Sequence, residues 1–376
     1  MHSRPAADVL EAILKVYGTT HDLTQWPDYE EFYDELLRYY HKDPDALNNP
    51  LFQAECRNRN LHNDPERSGD SHHLDQAVSM AVRIFPQLLR QLLKADPAEA
   101  SPGAGDAYSR FFDLLRTYSQ TPRGFMAGPP TDHEFYLHTL NHDLFLENYF
   151  EEEEFQEAID YSDGFSELGS PYFGGVCFNE TLPPPYNRRP FNAQVRMPYF
   201  TGKFSGRLHL LKLHGSLDYW QFGVESRDIG VYEPGIVKKQ PWVRSIDLYR
   251  EIKKDGQFDY RRDFTNYYPR FLSGITAKQE EYQDPVLFGP LLNRFSLNLA
   301  NSDVLVVIGY GFRDDGINDL MMPFLQNPAK KVIVIGITLP THCPAIRPDM
   351  FHSGGLEGYN FSELENLLAP SSQVVE

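Results

Sequence analysis

Three apolar runs constrain the fold more than any other feature of the chain: "RLHLLKLHG" (207–215), "DVLVVIGYG" (303–311) and "KKVIVIGI" (330–337). Each is continuous rather than alternating, which suits strands buried on both faces of a parallel sheet. Helical text flanks the second run, "GPLLNRFSLNLANS" ahead of it and "DDGINDLMMPFLQN" behind it, and "HEFYLHTLNHD" (133–143) predicts an earlier strand. Strands and helices in this order predict an open parallel α/β sheet. Ligands of such sheets bind beyond the carboxyl ends of the strands. The polar clusters fall there: Thr139, Asn141 and Asp143 after the first strand, His214 after the second, and Gly309, Gly311, Asp314 and Asp315 after the third.

The first 130 residues are predicted to be helical. "PAADVLEAILKVYG" (5–18) opens with proline and closes with glycine, as helices do. "PDYEEFYDELLRYY" (27–40), "LDQAVSMAVRIFPQLLRQLLKA" (74–95, kinked at Pro86) and "DAYSRFFDLLRTYSQ" (106–120) follow. Core strands are assigned to residues 131–150 and 205–340. Residues 151–204, with "EEEEFQE", "GSPYFGG" and "LPPPYNRRP", are assigned to an irregular, loop-rich insert, the acidic run being a solvated face. No internal repeat is found, and the whole is taken as one domain.

Composition narrows the function. At 376 residues and 41% hydrophobic, the chain can bury a large core. No apolar run approaches the roughly 18 residues of a membrane span, and the N-terminal text is not that of a secretory signal, so a cytoplasmic protein is expected. With 53 acidic against 35 basic residues, the net charge of −18 repels phosphate backbones and argues against direct nucleic-acid binding. Cys56, Cys177 and Cys343 lie far apart with no C-x-x-C spacing, which suggests buried thiols rather than a disulfide framework or a zinc site.

The order of the motifs carries a resemblance. "TLNHD" resembles the T-x-N-x-D segment of sirtuins and sirtuin-like proteins, and "LKLHGSLDY" their H-G segment. "PVLFGPLL" (285–292) looks like the segment ahead of the last strands, while "YSDGF" (161–165) and "VLVVIGYGFRDDGIND" are similar to the bacterial antiphage-defence branch. The resemblance spans residues 137–336. It implies a Rossmann-like parallel sheet with a helical N-terminal elaboration, NAD⁺ as substrate, and hydrolysis to ADP-ribose and nicotinamide. A homo-oligomer is further implied, with a HerA-type ATPase or a short Argonaute as partner.

Its chemistry matches the residue types. Nicotinamide in NAD⁺ is already cationic and leaves as a neutral base, so the site must stabilise an oxocarbenium-like ribose and deliver a nucleophile. His214 is the implied base for a water or ribose hydroxyl, with Gly215 letting the chain turn away. Asn141 would hold the water or the ribose, Asp143 the nicotinamide amide or a neighbouring backbone group, and Thr139, Tyr310 and Asp314 would complete the NAD site. Gly309 and Gly311 would let the backbone approach the dinucleotide; a tight turn into the next helix explains these glycines equally well. Four paired cysteines, which acyl-lysine deacetylases of the family carry on zinc, are missing, so water is the expected acceptor and no zinc is expected.

Two departures stand out. The family's opening strand and G-A-G-x-S loop have no counterpart; "GAGDAYS" (103–109) follows helical text and is rejected as that loop. The chain is expected to start late, at a cost to activity. Gly336 also stands where the family often has a polar residue on the adenosine ribose. Two alternatives follow: a non-catalytic NAD or ADP-ribose sensor or scaffold, and a metallophosphoesterase suggested by "NHD" and "LHG". The second lacks the D-x-H, G-D-x-x-D and G-H-x-H segments that clamp two metals.

Overall fold

A computed structural model describes residues 4–21, 29–62, 72–92, 104–119, 134–151, 161–180, 189–223, 234–239, 243–261, 270–272, 278, 281–341 and 343–368. Most of the acidic run at 151–157 lies outside them. The chain divides into two compact units interleaved in sequence. The first comprises Met1–Lys94, Phe173–Val195 and His214–Asp284, the second Ala95–Tyr172, Arg196–Leu213 and Pro285–Glu376.

The first unit begins with helices α1 (Arg4–Tyr17), α2 (Tyr29–Tyr40), α3 (Pro50–Asn58) and α4 (Leu74–Leu92). In α1, Val9, Ala12, Ile13 and Val16 recur at helical spacing and are buried, which turns one stripe of the helix into the core. Helix α3 starts where Asn49 Oδ1 accepts from the backbone N–H groups of Leu51 (3.0 Å) and Phe52 (3.2 Å), with Pro50 at the first position. Val9, Ile13, Leu36, Phe52 and Ala81 are fully enclosed in one cluster. Helix α4 continues through Pro86 as one segment.

Sequence reading missed the β-structure of this unit. Strands Gln257–Arg261, Arg244–Lys254, Tyr172–Glu180 and Arg189–Arg196 form a four-stranded sheet in that order. Tyr219–Phe222 pairs antiparallel with Gly235–Lys238. The insert at 151–204 is therefore not irregular, and much of 205–340 is antiparallel ribbon rather than parallel core. Close strand approach explains one of the two glycines that masked this strand: a Cβ on Gly175 would stand 2.5 Å from Asp247 Cβ. The hairpin had a legible signal in Asp255-Gly256. Both residues take positive φ (51° and 80°) between Lys254 and Gln257, the two-residue turn whose twist matches antiparallel strands.

The second unit follows the predicted α/β order: α5 (Ala104–Ser119), β1 (Phe135–Thr139), α6 (Phe145–Glu151), β2 (Tyr161–Ser162), β3 (Leu208–Lys212), α7 (Phe288–Asn301), β4 (Val304–Ile308), α8 (Asp315–Leu325), β5 (Lys331–Gly336), β6 (Phe351–Ser353) and α9 (Ser362–Leu368). Strands β1, β3 and β2 form one parallel sheet, in that order, and β4, β5 and β6 another. "GAGDAYS" falls at the start of α5, a helix rather than a phosphate loop. Phe112 and Leu115 of α5 pack with Leu208 and Leu210 of β3, while Ala107 and Leu114 pack with Ile333 and Ile335 of β5. One helix thus supplies apolar surface to both sheets. Every residue of β3 is buried, as a strand covered on both faces must be; β4 is less enclosed, with only Val307 buried.

Candidate functional site

Strands β1 and β3 run parallel in the register Phe135↔Leu208 to Thr139↔Lys212 and end side by side. The ladder closes where Leu213 N–H donates to Thr139 O (2.9 Å). Beyond it the chain turns on its own side chains: Thr139 Oγ1 accepts from Asn141 N–H (3.0 Å), and Asp143 Oδ1 accepts from Phe145 N–H (2.9 Å), opening α6. The Asn141 side chain is exposed, whereas His142 is buried. Asp143 thus meets the backbone of Phe145.

Lys212 was not singled out from the sequence, although a lysine inside an apolar run was its signal. Its side chain is 2% exposed, and Nζ bonds to the Asp143 carbonyl and pairs with Glu147 Oε1 at 3.1 Å, itself 5% exposed. The strand end, the Asn141–Asp143 turn and α6 are held by that one ammonium.

His214 follows Lys212 by two residues and belongs to the first unit. Its side chain is buried. The backbone beside it is fixed by segment 270–272: Leu272 N–H donates to His214 O (2.7 Å), Gly215 bridges Phe271, and Ser216 N–H donates to Arg270 O (3.3 Å). Gly215 has φ 80°, and a Cβ on it would stand 2.5 Å from Arg270 O and 2.8 Å from Phe271 Cα. Only glycine satisfies both demands. We expect Gly215→Ala to destabilise the protein by about 3 kcal/mol or more, since left-handed strain and a backbone clash coincide. A urea midpoint equal to that of the unaltered chain would contradict this account. On the ring, His214 Nε2 lies 3.2 Å from Tyr282 Oη.

His138 of β1 and His209 of β3 are poorly suited to taking up a proton near neutrality. Burial pushes His138 down to about 3, with His209 and Arg294 adding to the effect, and its Nε2 lies 3.0 Å from Asn298 Nδ2. Burial likewise lowers His209, whose Nδ1 faces an Arg294 guanidinium nitrogen at 3.3 Å.

Past β4, Gly309 has φ 67° with open space where a Cβ would stand, and its N–H donates to Ile335 O (2.9 Å). Gly311 lacks a positive φ, and the nearest atom to a Cβ there is Arg313 Cγ at 3.9 Å. Phe312 carries the strain instead, with φ 57° and a buried ring. Asn318 Nδ2 donates to Phe312 O (2.8 Å), Tyr310 Oη donates to Asn318 Oδ1 (3.0 Å), and Asp314 Oδ1 caps α8 by accepting from Ile317 N–H (3.1 Å). The turn into a helix thus explains Gly309, Tyr310 and Asp314. Gly336 ends β5, where a Cβ would meet the Phe351 ring at 3.2 Å.

Cys56 and Cys343 are buried free thiols, and burial pushes Cys56 up to about 11; the Cys177 side chain lies outside the described residues. Among the described residues no group of three or more His, Cys, Asp and Glu side chains could hold a metal ion, and no helix is long and apolar enough to cross a membrane. No protein-family model matches the chain, and no curated protein matches it.

Proposed function

We propose that the chain is a sirtuin-like NAD⁺ hydrolase built on a Rossmann-like sheet, with His214 as base and Asn141 holding the attacking water or the ribose. One observation carries the reading. The two strands that lead into "NHD" and "HGS" are parallel partners ending at Thr139↔Lys212, so Asn141 and His214 each follow by two residues a strand end at the same carboxyl edge. A second parallel group ends at the Gly309 turn, the other part of the resemblance.

In this mechanism the C1′–N bond of the nicotinamide ribose breaks, and its electron pair neutralises the departing pyridinium. Water forms the new C1′–O bond and gives its proton to the His214 imidazole, which returns it to solvent. The exposed Asn141 amide, on a turn fixed by Thr139 and Asp143, offers a donor and an acceptor to water or ribose. The test is nicotinamide release from NAD⁺, followed chromatographically beside calorimetric NAD⁺ binding. We expect Asn141→Ala to lower kcat by about 100-fold, the usual scale for one lost positioning group, while NAD⁺ affinity stays within a few-fold. Binding without release by the unaltered chain would favour an NAD or ADP-ribose sensor.

A further inference from the structure

We propose that the His209–Arg294 contact is an acid-sensitive latch between β3 and α7: it holds the helix on the strand while the imidazole is neutral and opens when the ring takes up a proton. The inference is independent of the hydrolase reading.

Chemistry fixes the polarity of this contact. A guanidinium has N–H donors and no acceptor, so the Arg294 nitrogen 3.3 Å from His209 Nδ1 donates, and Nδ1 presents its lone pair. A proton on Nδ1 removes that bond and sets two cations against each other at a residue only 4% exposed. Among the described residues no carboxylate forms an ion pair with Arg294, whose Nε is enclosed without a hydrogen-bond partner and whose guanidinium lies 5.2 Å from the centre of the Phe204 ring. Its charge therefore acts on the imidazole undiminished by a close counter-ion. A neighbouring pair on the same helix is not constrained in this way. One turn along α7, Asn298 Nδ2 lies 3.0 Å from His138 Nε2, and the Phe295 ring meets His138 edge-on at 4.7 Å. An amide carries both a donor and an acceptor, so by turning over Asn298 serves His138 in either protonation state; Arg294 has no such choice.

The other groups around His209 do not reverse the balance. From β1, the Tyr136 ring lies 5.3 Å away, and the Glu134 carboxylate, which accepts from Tyr136 Oη, favours the charged ring. A backbone hydrogen bond with Gly206 also favours it, while the Phe204 ring at 5.5 Å adds apolar cover. Burial and then the Arg294 charge outweigh these and lower the affinity of His209 for a proton. The folded chain thus binds that proton more weakly than the unfolded chain. The latch contributes its full stability above about pH 6.5, the ordinary imidazole value, and loses it as the pH falls. Helix α7 is the element such an opening frees. It packs on β3 and ends at Ser302, just ahead of β4, so it joins the two parallel sheets of the second unit.

His209→Asn keeps an acceptor for Arg294 in its amide oxygen and does not titrate. The measurements are urea unfolding from pH 7.5 to 5.5 and hydrogen exchange of residues 288–301 by mass spectrometry, corrected for the intrinsic effect of pH. As the pH falls through this window, the unfolding constant of the unaltered chain should rise relative to that of His209→Asn, by up to about tenfold per pH unit, the limit for one proton. Protection of α7 should fall over the same window in the unaltered chain and hold in the variant. Arg294→Gln removes the opposing charge and should make the acid loss shallower, which carries the test should His209→Asn not fold. Parallel pH curves for the unaltered chain and His209→Asn overturn the latch, as does an acid loss in Arg294→Gln as steep as that of the unaltered chain. Divergent stability curves with α7 protection unchanged also overturn it, because the proton would then act elsewhere than on the helix.

Discussion

His214→Ala is expected to remove nicotinamide release by about 10²–10⁴-fold, the range that a positioned general base contributes. The loss should be one of chemistry rather than of fold. What the structure demands at this position is a backbone carbonyl for Leu272 and a neighbouring glycine for the turn, and alanine supplies the first and leaves the second intact. The side-chain change withdraws one bond from Tyr282 and leaves a small gap in a buried site, a cost of about 1–3 kcal/mol. A thermal melt and an NAD⁺ binding isotherm should therefore stay close to those of the unaltered chain while turnover disappears. Release at the original rate from a folded His214→Ala protein would remove the base assignment. It would not hand the role to His138 or His209, whose affinity for a proton is lowered by burial and by Arg294.

What the sequence disclosed depended on how locally each feature is encoded. The parallel strands were legible because enclosure on both faces forces a continuous apolar run, as in the wholly buried "LHLLK". The helices were legible because one-sided burial imposes a period, as at Val9, Ile13 and Val16. The antiparallel strands of the first unit were not, since "RPFNAQVR" and "RSIDLYREIKK" mix charge with apolar residues and "YFGGVCFNE" carries two glycines. Their pairing is decided by partners distant in sequence. The Asp255-Gly256 turn could have revealed one hairpin and was passed over.

The candidate site divides the same way. His214, Gly215 and Asn141 stand just past strands, so their place followed once the strands were read. Tyr282 and Arg270 are brought to His214 by pairing across 50 or more residues, for which no periodicity exists. Asp314 and Tyr310, assigned to a dinucleotide from resemblance, serve the turn that opens α8, a task any helix start poses.

Lys212 gives the largest expected effect on stability. Its ammonium is enclosed with Glu147 at 3.1 Å and bonded to the Asp143 carbonyl, so each buried charge offsets the desolvation of the other. Lys212→Met keeps most of the side-chain volume and removes the charge that pairs with the buried Glu147 carboxylate. We expect a loss of about 3–5 kcal/mol, a large share of the 5–15 kcal/mol that holds a typical domain. Removing both charges in Lys212→Met with Glu147→Leu should recover part of it, since two apolar side chains carry no desolvation penalty; the Asp143 carbonyl still lacks its Lys212 donor, at about 1–3 kcal/mol. Denaturant midpoints of the two singles and the double close this cycle, and a loss in the double equal to the sum of the two single losses would show that the pair is not coupled. The double variant also separates stability from positioning. Its core would be restored, yet the Asp143 carbonyl would no longer be tied to β3, and the exposed Asn141 stands on the turn that this tie anchors. A well-folded double variant with normal NAD⁺ affinity and reduced kcat is therefore the expected result, because a misplaced water or ribose slows the chemistry without changing how tightly the rest of the dinucleotide is held.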